Sequence, residues 1–272
     1  MAKGNAQNKS SGSTANLGID GNRQCDDGEP SFTLPNVVKG LLVRVGVDST
    51  DGEWNAPMRL ASGKFAYVTI TDTKPLRDGM ARHYDEFIPV AARFGEQLPA
   101  PLLGQPTHLD PDFDQLTYGD QGQRGKRITS LLTPGDLLAF FAALRPVDGP
   151  SRPLIYALIG LYVVEEIVPA KSVPQARWAE NAHTRRVPGD GDIVVRAKPG
   201  VSGRLRRCIP IGELRDRVYR VRNDLLDAWG GLDIKNGYIH RSVRLPAFHD
   251  TAKFYRWFLA QKPELVAENN PP

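Results

Sequence analysis

Two apolar runs, residues 137–144 and 154–168, joined by the short linker 145–153, constrain this chain more than any other feature. Runs this apolar suit strands buried on both faces, so the pair reads as neighbouring antiparallel strands at the centre of a core. Pro134-Gly135-Asp136 is the turn that launches the first. The second contains Gly160 and reads as two strands or as one long strand bent there.

Around this centre the expected elements are α and β together. Residues 39–46 form a strand ended by Gly46, and the alternating residues 65–71 form another. Residues 84–94 fit a short helix or an irregular segment, and residues 99–125, rich in Pro, Gly and Asp, fit a long ordered loop. Between Gly212 and Trp229 a 3.6-residue period puts Leu214, Val218, Val221, Leu225 and Trp229 on one face, which predicts a helix with arginines on its other sides. Gly230-Gly231 stops it. A last helix starts at Asp250 or Thr251 and ends at Pro263. The expected fold is therefore α+β: a central mixed, largely antiparallel sheet with helices supplied mainly by the C-terminal third. A PUA-like barrel is the alternative.

Residues 1–33 are polar, with too little apolar area to offset the entropy of ordering, so a disordered leader is expected before one globular domain at 34–272. The leader has no signal-peptide core, and no run reaches the roughly 20 apolar residues that cross a bilayer. With only two cysteines, Cys25 and Cys208, neither a disulfide framework nor a cysteine zinc site is available. A cytoplasmic protein without a membrane partner is expected. Charge is uneven: residues 1–150 carry 15 Lys/Arg against 18 Asp/Glu, and residues 151–272 carry 20 against 13. The basic excess is densest at 171–222 and suits either phosphate binding or a solvated basic face.

Three segments could carry chemistry. Asp48-Ser49-Thr50-Asp51-Gly52 follows the first strand, and reads as a cleft edge or a plain turn. In an extended His108-Leu109-Asp110-Pro111-Asp112, alternation puts the imidazole and two carboxylates on one face. Acid/base chemistry, a Mg²⁺ or Mn²⁺ site and an acid-rich structural loop all fit that pattern. Trp178 to Arg186 combines Asn181 and His183, able to read a base edge, with Arg185 and Arg186 for phosphate. Tyr238-Ile239-His240-Arg241-Ser242 is a weaker candidate. The sequence contains no phosphate loop, strand-linked GxGxxG, HExxH or zinc-deaminase pattern, so nucleotide hydrolysis, dinucleotide redox chemistry and zinc-dependent deamination are disfavoured.

The succession Arg44-x-Gly46-x-Asp48-Ser49, His108-x-Asp110-Pro111-Asp112, Gly135-Asp136-Leu137-x-x-Phe140-Phe141 and Ile159-Gly160-x-Tyr162-x-Val164 resembles the third nucleotide-modification-associated domain family over residues 38–245. The resemblance implies a place beside phage and bacterial base-modification systems. More narrowly, it implies a DNA glycosylase of antiphage defence that excises glucosylated hydroxymethylcytosine and leaves abasic sites.

Such an enzyme needs a carboxylate against the developing sugar cation, a cleft for an extruded nucleotide and a basic surface. Asp48, Asp110 and Asp112 are the candidates for the chemistry, with His108 orienting a carboxylate or water. Ser49, Gln121, Asn181 and His183 are assigned to the base or sugar. Arg185, Arg186, Arg204, Arg206, Arg207 and Arg241 are assigned to the phosphates of double-stranded DNA. No metal and no cofactor is assigned. A non-catalytic reader of modified bases and a metal-dependent nuclease built on His108, Asp110 and Asp112 are the rivals.

Overall fold

In a computed structural model, which describes Met1 and residues 38–48, 54–149, 153–240 and 245–272, the two apolar runs pair antiparallel at the centre of an eight-stranded sheet. Ser49 and Arg241, the turn at 49–52 and residues 2–33 of the expected leader lie outside the described residues. The strands in chain order begin with β1 (Gly40–Arg44), β2 (Pro57–Met58), β3 (Ile70–Thr71), β4 (Thr107–His108) and β5 (Thr117–Asp120). The central pair is β6 (Leu137–Pro146) and β7 (Ile155–Pro169). There follow β8 (Ile193–Ala197), β9 (Gly203–Pro210), β10 (Gly212–Arg215), β11 (Val218–Val221) and β12 (Leu265–Val266). The helices are α1 (Ile88–Ala92), α2 (Gly122–Leu131), α3 (Asn223–Trp229) and α4 (Thr251–Ala260).

The main path runs β1-β6-β7-β8-β5, parallel between β1 and β6 and antiparallel elsewhere. It does not close among the described residues, so the fold is an α+β mixed sheet and the barrel alternative is set aside. Strand β7 is one long strand whose register shifts around Gly160; one edge pairs with β6 over Ile155–Val163, while the other serves β9 first and β8 after it. Residues 65–71 are buried and extended as far as Thr69, but only Ile70–Thr71 forms a named strand, paired with β4. Residues 84–94 are helical in two short pieces.

The expected helix from Gly212 to Trp229 is corrected to a hairpin followed by a short helix. Asp216 and Arg217 both take positive φ, 53° and 63°, making the two-residue turn that joins β10 to β11. Beyond the turn Tyr219 and Val221 are buried in period two, and Leu214, assigned to the buried helical face, is 51% exposed. Helical geometry begins only at Asn223, and Gly230, at φ 75°, ends it as expected. Asp250 caps α4 by accepting the Lys253 N–H.

The core also holds the acid loop that follows β4. Phe113 is fully buried, edge-on to Tyr67, Phe140 and Tyr162. It lies over Gly160, where a Cβ would come within 2.6 Å of its ring and 2.9 Å of the Gly203 carbonyl. The Tyr67 and Tyr162 hydroxyls donate to the carbonyls of Pro111 and Asp112 at 2.8 and 3.0 Å. Asp112 itself is fully buried; it accepts from Arg185 Nη2 at 2.6 Å and from Asn269 Nδ2 at 2.9 Å. Two stability effects follow. Gly160→Ala should cost about 1–3 kcal/mol through overpacking, read from the urea midpoint with an unchanged denaturant slope. Asp112→Ala, which strands the buried Arg185 guanidinium, should cost about 3–5 kcal/mol in the same titration.

Candidate functional site

The ends of β1, β4 and β5 open onto a cleft of about 660 Å³. Arg44, Asp48, His108, Asp110, Gln121 and His183 line it, with Asp120 and Arg124 beside them. Its floor is Asp110, 4% exposed in its side chain. The Gly119 N–H donates to both of its oxygens, at 2.8 and 3.0 Å, and Asn181 Nδ2 donates to Oδ1 at 3.2 Å. Only glycine fits at 119: a Cβ there would lie 2.3 Å from the His183 ring and 2.5 Å from Asn181 Oδ1.

Two histidines face this carboxylate. His108 Nε2 lies 3.7 Å and His183 Nε2 3.6 Å from the same Asp110 Oδ2, with the rings 5.0 Å apart and edge-to-face. The far nitrogen of each ring meets another carboxylate: His108 Nδ1 stands 2.9 Å from Asp72 Oδ2, and His183 Nδ1 stands 3.1 Å from Asp192 Oδ2. Arg186 sits between these outer acids, with Nη1 3.6 Å from Asp72 and Nη2 3.3 Å from Asp192. Its Nη2 also lies 3.0 Å from His183 Nδ1. For His108 the Asp72 carboxylate on Nδ1 places the ring proton there and leaves Nε2 as a lone pair facing the cleft, whereas His183 Nδ1 meets both an acceptor, Asp192, and a donor, the Arg186 guanidinium.

The electrostatics separate inner and outer acids. Burial pushes the Asp110 carboxyl well above the usual carboxylate range, against the pull of the Gly119 and Asn181 hydrogen bonds. Burial also lowers the His183 imidazole, more than Asp192 raises it. For Asp192 the burial penalty is outweighed by the hydrogen bond and charge of His183, by the Gly189 N–H and by Arg186, which hold it down to about 2. Asp72 is likewise lowered, because His108, the Lys74 N–H and Arg186 together overcome its burial.

The cleft brings together five of the residues singled out from the sequence, Asp48, His108, Asp110, Gln121 and His183. Asp48 pairs with Arg44 at 3.0 Å across its wall. Gln121 accepts from Lys74 Nζ at 2.6 Å. Asn181 is fully buried behind the floor, holding Asp110 and the His183 N–H. Asp112 is corrected from the reactive face to a structural strut: the regular strand ends at His108, so alternation no longer applies beyond it, and the Asp112 side chain is buried against Arg185. Arg185, Arg186 and Arg204 are corrected from the surface to the interior, at 4%, 3% and 2% exposure. The first two balance buried acids, and the third donates to the Phe65 carbonyl and stacks on the Phe65 ring at 3.9 Å.

Arg206 and Arg207 remain exposed and, with Arg59, Lys64 and Arg93, border a second, basic cavity of about 320 Å³. Arg204 forms its inner wall; its Nε has no hydrogen-bond partner, and burial lowers its guanidinium to about 9. Sequence reasoning missed Asp72, Asp120, Arg124 and Asp192. The signal for Asp192 was available: Gly189-Asp190-Gly191-Asp192 precedes β8 as Pro134-Gly135-Asp136 precedes β6. No helix among the described residues is long and apolar enough to cross a membrane.

No curated protein and no solved structure matches the chain. One protein family does, described as nucleotide modification associated domain 3, over residues 39–229. That span holds the sheet centre, the acid loop, both cleft histidines and their outer carboxylates, and on it the chain belongs to the nucleotide modification associated domain 3 family.

Proposed function

We propose that this protein is a DNA glycosylase that hydrolyses the N-glycosidic bond of a modified base, with glucosylated hydroxymethylcytosine in phage DNA as the substrate, acting in the cytoplasm in antiphage defence. The observation that carries the reading is the cleft floor, where a buried carboxylate faces two oriented histidines in a space within the roughly 300–1,000 Å³ of small-molecule sites. Family membership supports a modified nucleotide as the ligand. An extruded nucleotide entering the cleft puts its sugar between this floor and the Asp48 wall.

In the reaction, water oxygen bonds to C1′ while the C1′–N bond breaks. The bonding pair leaves with the base, which ends with a proton from water. His108, Asp110 and His183 hold and activate that water, and Asp48, paired with Arg44, stabilises the positive charge that develops on the sugar. The exposed guanidiniums of Arg206 and Arg207 and their basic neighbours bind backbone phosphates.

Asp110→Asn keeps the shape of the floor and removes its charge. Abasic-site formation on modified phage DNA should fall by about 10² to 10⁴ while retention of that DNA in a filter or gel assay changes little. Wild-type protein that cuts the backbone without abasic sites would replace this reading with a nuclease, and retention without any product would replace it with a reader. Separately, Arg206→Glu with Arg207→Glu should weaken DNA binding and flatten the log Kd against log salt slope by about two, the loss of two phosphate contacts.

A further inference from the structure

Three groups able to ligate a metal converge on the cleft floor. One ligand atom from each of His108, Asp110 and His183 lies within 4.8 Å of the others, and Asp110 Oδ2 is 3.7 and 3.6 Å from His108 Nε2 and His183 Nε2. With its ring proton on Nδ1, directed at Asp72, His108 brings no hydrogen to Asp110, and a cation at the floor would draw the His183 proton to Nδ1 beside Asp192 in the same way. Acceptors placed against acceptors are stabilised by a cation between them. Carboxylates behind the far nitrogens of two histidines are also how metal-binding imidazoles are commonly oriented and made more basic.

The dimensions fit one small ion. Bonds of about 2.0–2.1 Å to a tetrahedral centre put neighbouring ligand atoms about 3.3 Å apart, a few tenths of an ångström less than the two nitrogen–oxygen separations, and the three ligand atoms close on the ion from within 4.8 Å of one another. The donor set selects the ion. Two imidazoles and one carboxylate suit Zn²⁺ or Fe²⁺, whereas Mg²⁺ and Ca²⁺ prefer oxygen throughout. All three groups line the cleft, so a further coordination position faces the space where substrate enters.

We propose that His108, Asp110 and His183 bind a single divalent transition-metal ion through Nε2, a carboxylate oxygen and Nε2, with an open position for water toward the cleft. Asp72 and Asp192 are positioning residues that hold the two imidazoles, and Arg186 offsets their charge. As the means of activating water, the ion rests on the excision reading above; as a binding site, it stands on the donor geometry alone. A bound ion of this kind would lower the pKa of its water toward neutrality, so that the water could release a proton to solvent through the cleft mouth and attack as hydroxide.

The test is metal binding by the full chain, read without any activity. Protein purified without a metal-affinity step is stripped with chelator and dialysed. It is then titrated with Zn²⁺, with Fe²⁺ under anaerobic conditions, and with Co²⁺, whose visible d–d bands report coordination by nitrogen and oxygen. One equivalent per chain is expected, with metal analysis of the unstripped protein showing which ion it carries. His108→Ala and His183→Ala should each abolish stoichiometric binding, and Asp72→Asn and Asp192→Asn should weaken it about 10–100-fold. Circular dichroism checks that each variant is folded, and His183→Gln serves if His183→Ala is not. Wild-type protein that gives no Co²⁺ bands and takes up no Zn²⁺ or Fe²⁺ overturns the site, as does full binding by a folded variant lacking both histidines. Metal binding without abasic sites on modified DNA overturns the excision reading and leaves the site standing.

Discussion

The seating of Phe113 over Gly160 is the contact on which the rest of the arrangement depends. A side chain at 160 would push the ring out of the sheet face, and the ring carries the backbone of Pro111 and Asp112 with it, through the hydroxyls of Tyr67 and Tyr162. Asp110 lies one residue before this anchored stretch and is held by Gly119 on the neighbouring strand. The carboxylate of the cleft floor is thus fixed from both sides by groups packed on the hydrophobic core, which moves little because it is close-packed. A loop rich in Asp and Pro becomes a rigid floor, and the cleft gains a defined shape before any ligand enters.

Charge is organised on the same scaffold. Buried carboxylates are tolerated only when paired or hydrogen-bonded, and three of the arginines that make the C-terminal portion so basic are spent inside. Arg185 neutralises Asp112, Arg186 lies between Asp72 and Asp192, and Arg204 stacks on Phe65. Asp110 is held without an arginine. Its partners are two backbone-directed bonds, an amide and two imidazoles, and burial raises its pKa accordingly. The contrast marks it as the group at which the protein leaves charge incompletely balanced, and such groups cluster at functional sites.

The centre of the fold was legible in the sequence because runs as apolar as β6 and β7 have few ways to be buried. The Gly212 to Trp229 segment was misread because its apolar residues fit a helical period as well as a strand, and the turn rests on Asp216 and Arg217 without a glycine; Asp216 tolerates positive φ, but Arg217 gives no sign of it. Half of the cleft was legible for a similar reason: His108 and Asp110 are close in sequence. His183 and Asp192 join them only through the pairing of β5 with β8, and Asp72 through β3 with β4. Local spacing carries no trace of such pairings. Arginine clusters mislead in the opposite direction, because composition registers a positive charge and is silent about a buried acid opposite.

The clasp made by Asn269 links the age of a chain to its competence. This residue stands 157 positions after Asp112, yet its side chain bonds both the Asp112 carboxylate and the Phe113 N–H. During synthesis the sheet, the histidines and their outer acids have all been made before Asn269 appears, and until then the acid loop lacks one of its fastenings. A ribosome that stalls short of that point leaves a polypeptide with most of its core and a loosened floor. Assembly order then bears on the shape of the cleft, because incomplete translation products lack the Asn269 bonds that help to hold the acid loop.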